Sequence, residues 1–139
     1  MIQTKTTYTV YSPPTLLYEQ GAFEEVGTQA TKLGTKALIV SDPIMDSLGL
    51  VNKCIALLQE QGVASVSYLG VTSEPVDTYV TEALDVLQHN DCDIIISVGG
   101  GSCIDTAKAV AVVATNGGYI GDYMNQKKLA NENPIPHIA

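Results

Sequence analysis

The sequence predicts an α/β fold, an open and mostly parallel sheet with helices on both of its faces. Two observations predict it. Short apolar runs alternate along the chain with segments of helical spacing, as crossover connections between parallel strands require. The runs KALIVS and DIIISV are also continuous rather than alternating, the signature of strands covered on both faces. The 139 residues, 45% of them apolar, are enough to bury a core and point to one domain spanning 1–139.

The elements follow in order. An edge strand is expected at residues 7–11, stopped by Pro13 and Pro14. Phe23, Val26, Ala30 and Leu33 then fall at helical spacing, and Gly34 supplies a stop. Residues 36–41 form a strand that ends at Asp42-Pro43, because proline withdraws a ladder donor and biases its predecessor away from helix. Leu48, Val51, Ile55 and Leu58 define the next helix, closed by Gly62, and residues 63–69 alternate like a strand nearer the sheet edge. Residues 72–75 open a helix burying Val76, Val80, Ala83, Leu84 and Leu87. It leads through Asn90 into residues 93–98, the most apolar strand and so a central one. Residues 119–133 are polar with little periodicity, an irregular excursion or frayed helix before a last strand near PIPHIA.

Charge limits the partners. Seven basic residues against fifteen acidic ones give −8, which repels nucleic acid and anionic membrane surfaces. The N-terminus has no basic region followed by an apolar one, and no apolar run approaches the ~20 residues of a membrane span, so a cytoplasmic setting is expected. Cys54, Cys92 and Cys103 are odd in number and form no C-x-x-C pair, so they read as reduced thiols.

The informative segment is VGGGSCIDTAK, residues 98–108. Gly99, Gly100 and Gly101 fall where a parallel strand turns into its crossover helix, so bare backbone can approach a ligand there. Ser102 and Asp105 read as a capping box, with Ala107, Val110, Ala111 and Ala114 on the buried face. The free N–H groups and the positive dipole end of that helix make an anion site, which lets an acidic chain hold a pyrophosphate. The spacing departs from G-x-G-x-x-G, since the sixth position from Gly99 is Ile104, and a flavodoxin-like domain with an idle glycine turn stays open. Asp42 has two readings: a turn residue before Pro43, or an acceptor for ribose hydroxyls that repels a 2′-phosphate and so favours NAD over NADP.

GGGSCIDTAK preceded by DIIISVG resembles the cofactor signature of the iron-containing, metal-dependent alcohol dehydrogenase family. The resemblance runs the length of the chain and implies the Rossmann-like N-terminal domain of the dehydroquinate synthase-like fold that these enzymes share. It matches Asp42 to a ribose-contacting aspartate, and Gly99, Gly100, Gly101 and Ser102 to the pyrophosphate-binding backbone, with Asp105 and Lys108 completing the motif. Lys108 reads as a solvated lysine. GVTSEP, residues 70–75, resembles the stretch that reaches the adenosine side, with Glu74 where asparagine is also common. Glycerol dehydrogenases usually carry lysine where Ser102 stands, so the serine favours the alcohol dehydrogenase branch.

The family interconverts alcohols and aldehydes or ketones with a nicotinamide cofactor and a divalent metal, iron or zinc. The resemblance places the metal ligands in a C-terminal helical domain that follows the matched part, and it expects that domain to be absent here. His89 and His137 have no helix-spaced partner and are not expected to hold a metal. The expectation is therefore an NAD-binding portion without chemistry of its own. The alternative is a stand-alone nucleotide-binding or association module. Relatives pair through an N-terminal strand that corresponds to residues 4–11, which implies a homo-oligomer.

Overall fold

In a computed structural model, residues 14–139 are described, so the strand expected at residues 7–11 lies outside the described residues. The apolar run of residues 36–41 forms β1 (Lys36–Ser41), buried from Ala37 onward. DIIISV forms β3 (Ile94–Val98), every residue of it buried. With β2 (Ala64–Tyr68) and the short β4 (His137–Ile138), they make a parallel sheet in the order β2-β1-β3-β4. The most apolar strand is thus an inner one, and β2, only half-buried along most of its length, takes the edge.

Alternate residues feed two cores. Leu38, Val40 and Ile95 pack beneath α4 (Asp77–His89) and α5 (Gly101–Asn116). Ala37, Ile39, Ile94, Ile96 and Val98 pack beneath α1 (Val26–Thr31) and α3 (Leu50–Glu60). Helices therefore cover both faces, as the continuous apolar strands require. Each fully buried leucine or isoleucine here contributes about 1.5–3 kcal/mol.

Two side-chain clasps hold β1 to β3. At the amino ends, the Asp93 carboxylate accepts from the backbone N–H groups of Thr35 and Lys36 and from the Thr35 hydroxyl, at 2.9–3.0 Å. Burial alone would raise the Asp93 carboxyl; the bonds from Lys36 and Thr35 outweigh it and hold it below its ordinary value. At the carboxyl ends, the buried Ser41 hydroxyl donates to the Val98 carbonyl.

Several helix starts differ from the sequence expectation. Asp42-Pro43 ends β1 but also opens a short helix, α2 (Pro43–Ser47), with Asp42 as its N-cap and proline in its first turn. Leu48 is consequently the C-cap of α2, 65% exposed, instead of a core residue of the next helix. Residues 72–75 stay in a loop, and α4 begins at Asp77 with Val76 as its exposed N-cap. The first helix ends at Thr31, which leaves Leu33 in a turn and exposed. Residues 119–133 contain one short helix, α6 (Ile120–Met124), and are otherwise irregular.

Helices α1 and α3 approach closely at Gly27, where an added Cβ would overlap the Leu57 carbonyl of α3. Alanine gains up to about 1 kcal/mol in helix propensity. The overlap works against it by about 1–3 kcal/mol. Gly27→Ala is therefore expected to lower the urea midpoint, and an unchanged or raised midpoint would show that α1 and α3 can move apart freely.

His137 supplies a pH dependence. Its half-buried ring sits 2.8 Å from the Ser97 hydroxyl, and burial first, then the Lys108 charge, lower its pKa from 6.5. A histidine held neutral by the fold contributes in full above 6.5, and that contribution is lost as pH falls through the lower folded value. Chemical denaturation should show wild type losing more stability between about pH 7.5 and 5.5 than His137→Gln does.

Candidate functional site

The register of β1 on β3 pairs Ser41 with Val98, so the next residues, Asp42 and Gly99, leave the sheet side by side at its carboxyl edge. That edge is where open α/β sheets bind ligands. A cleft of about 360 Å³ opens there, walled by Asp42 to Ile44 on one side, Val71 to Ser73 on another, and Gly100 to Cys103 along its floor.

The floor is the first turn of α5. The bond that enters the helix from its N-cap runs from the Ile104 N–H to the Gly100 carbonyl, at 3.1 Å. The amides of Gly101, Ser102 and Cys103 precede that bond and have no carbonyl one turn back to accept them. These donors and the dipole of a 16-residue helix converge on the cleft. Only one of the three glycines needs its conformational freedom for backbone reasons: Gly99 has φ +147°, and a Cβ there would stand 2.8 Å from the Cys103 sulfur. Gly100 and Gly101 have open space where a Cβ would go.

Asp42 is half-buried, and both of its oxygens are engaged. Oδ1 accepts from the Met45 N–H at 2.8 Å, which caps α2, and Oδ2 faces the Cys103 thiol at 3.6 Å. A carboxylate has about four lone-pair positions, so capacity remains for a ligand hydroxyl. The capping role of Asp42 is thus real, and it leaves the acceptor reading intact. Cys103 itself is pushed up to about 11, by burial first and then by the charge and hydrogen bond of Asp42.

The capping box expected at Ser102 and Asp105 is a correction. Gly100 is the N-cap, no side chain caps the helix, and Ser102 already lies in its first turn. Glycine tolerates the extended N-cap backbone as readily as serine, so the cap falls two residues early and Ser102 lies in the first turn beside the cleft. Asp105 does not line the cleft; it is exposed, 4.0 Å from Lys108 on the outer face of α5. Gly99 stands behind the floor as the turn that aims it.

The cleft and its glycine floor now stand beside known proteins. A model of the iron-containing alcohol dehydrogenases matches residues 13–139. The chain belongs to the iron-containing alcohol dehydrogenase family. It is 39% identical over 130 residues to the NAD-dependent methanol dehydrogenase of Bacillus methanolicus, covering 93% of this chain and 34% of that protein. It is 42% identical over 123 residues to alcohol dehydrogenase 4 of Saccharomyces cerevisiae (strain YJM789), covering 86% of this chain and 32% of that protein. The fold superposes on NADH-dependent butanol dehydrogenase A from Thermotoga maritima with a TM-score of 0.86 at 26% identity, over 94% of this chain and 33% of that one. It superposes on a 1,3-propanediol oxidoreductase at 0.75 and 36% identity, over 85% and 31%. The chain therefore spans about a third of the length of the curated relatives it matches.

Within this iron-containing alcohol dehydrogenase chain, the structure brings together Asp42, Gly100, Gly101 and Ser102 from distant parts of the sequence. Sequence reasoning missed Cys103 and Ile44 as cleft residues, while Val71, Thr72 and Ser73, from the 70–75 stretch it singled out, line the cleft. Cys103 enters the cleft because the helix starts at Gly101, which puts it in the first turn. Thr72 and Ser73 are held by Tyr79 of α4, whose hydroxyl lies 3.1 and 2.7 Å from theirs; Ser73 first and Thr72 next lower its pKa. Glu74 is exposed and does not line the cleft. Among the described residues, no three His, Cys, Asp or Glu side chains gather to hold a metal ion, so a divalent metal finds no ligand set among them. No described helix is long and apolar enough to cross a membrane.

All three cysteines are free and buried, and burial raises Cys54, like Cys103, to about 11. A thiolate is the reactive form. Iodoacetamide at about pH 8 should therefore leave the folded chain unmodified over a period in which urea-unfolded chain gains three adducts by mass spectrometry. Rapid labelling of the folded chain would mean that the cleft floor opens.

Proposed function

We propose that this chain is the NAD-holding part of a metal-dependent alcohol dehydrogenase that interconverts alcohols with aldehydes or ketones. The observation that carries the reading is that the Asp42 carboxylate and the amino end of α5 line one cleft. In this arrangement the amides of Gly101 and Ser102 hold the pyrophosphate, and Asp42 accepts from the adenosine ribose hydroxyls. Ile44, 66% exposed at the cleft, offers apolar surface for the adenine. The nicotinamide, when bound, accepts hydride from the alcohol carbon. NADP is disfavoured because its 2′-phosphate meets a carboxylate already committed to two donors. The cleft residues serve the cofactor, and the alcohol and the metal are held by other residues of the enzyme. Three unpaired thiols support a cytoplasmic setting.

Calorimetric titration with NAD and NADP tests the reading. Wild type is expected to bind NAD saturably and NADP more weakly. Asp42→Gly should weaken NAD at least tenfold, about 1.4 kcal/mol. Glycine costs an N-cap only a few tenths of a kcal/mol, so that loss would not come from α2. Gly100→Asp adds a side chain into open space, so abolished binding would report charge against the pyrophosphate and not a clash. Unchanged NAD binding in Gly100→Asp would remove the glycine floor from the proposal.

A further inference from the structure

The Asp42 carboxylate sits on a terminal torsion that is intrinsically broad, so one hydrogen bond leaves its second oxygen free to swing. Met45 N–H fixes Oδ1 at 2.8 Å from within α2. The second oxygen is met from a different element: Cys103, 1% exposed in the first turn of α5, presents its thiol to Oδ2 at 3.6 Å. Room for this meeting exists because residue 99 has no Cβ; one placed there would stand 2.8 Å from the sulfur and 3.3 Å from Oδ2. Asp42, Gly99 and Cys103 therefore form one clasp between the end of β1 and the glycine floor, and Asp42 and Cys103 both face the cleft.

We infer that Cys103 is a positioning residue, which holds the Asp42 carboxylate at the angle and spacing needed to read the ribose while the pyrophosphate rests on the α5 amides. The inference rests on the dinucleotide reading of the cleft. The thiol acts as a donor only; buried and protonated, it takes no part in covalent chemistry. With alanine at 103 the carboxylate keeps one anchor out of two. Serine restores an O–H donor in nearly the same place.

The test combines ligand binding with a readout of the clasp that needs no ligand. Calorimetry on wild type, Cys103→Ala and Cys103→Ser should show alanine weakening NAD by about two- to tenfold and narrowing the preference over NADP, with serine close to wild type. In parallel, the infrared S–H stretch assigned to Cys103 by its disappearance in Cys103→Ala should move when Asp42→Asn removes the charged acceptor. Alanine binding NAD as wild type does, or an S–H band indifferent to Asp42→Asn, would overturn the positioning role while leaving the cofactor site standing. Wild type binding neither dinucleotide, with the S–H band still responsive, would instead overturn the dinucleotide reading and with it any role for Cys103 toward a ribose.

Discussion

The site depends on the parallel register between β1 and β3. Those strands come from segments more than fifty residues apart, and their pairing sets Asp42 beside Gly99. A slip of one residue would turn every side chain to the opposite face, exchanging the two cores and carrying Asp42 away from the glycine turn. The register is held at both ends by groups with nothing to do with ligands. Asp93 gathers three donors at the amino ends, and Ser41 reaches the Val98 carbonyl at the carboxyl ends. A buried hydroxyl and a carboxylate that accept or donate across strands discriminate register in a way that apolar contacts between valine and isoleucine cannot.

Electrostatics explains how an acidic chain can present free amide donors to a cleft. Net charge acts at long range and is screened beyond roughly 10 Å at ordinary ionic strength. The α5 amides act at contact distance, and the helix dipole reinforces them within its first turn. The one carboxylate lining the cleft stands on its side wall, where it touches the floor at Cys103 and is engaged by Met45 and Cys103. The cleft thus offers donors on its floor and an acceptor on its side, a division that matches a molecule with an anionic middle and a hydroxyl-bearing end.

Membership in the iron-containing alcohol dehydrogenases joins this geometry to a family, and the match over residues 13–139 reaches beyond the glycine signature. Superposition on the Thermotoga butanol dehydrogenase shows that the same sheet and helices stand within a chain about three times as long. Thr72 and Ser73, held by Tyr79, form the third wall of the cleft, and they do so only because residues 72–75 decline to continue into α4.

Composition and periodicity were enough to establish the class of fold, the two inner strands with their bounds near 36–41 and 93–98, and the glycine turn as the place to look. Those features are legible because burial on both faces demands continuous apolar runs and because a turn into a helix tolerates three glycines only at some conformational cost. Tertiary structure decided what the sequence left open. Asp42-Pro43 read as a stop and proved also to be a start, since a capping aspartate and a first-turn proline favour a new helix when the chain has room to turn. Ser102 read as a cap and proved to lie inside the helix, because Gly100 took that place. Cys103 carried no local signal at all. Its contact with Asp42 spans 61 positions, and a meeting of that kind arises from strand register, which no local pattern of residues encodes.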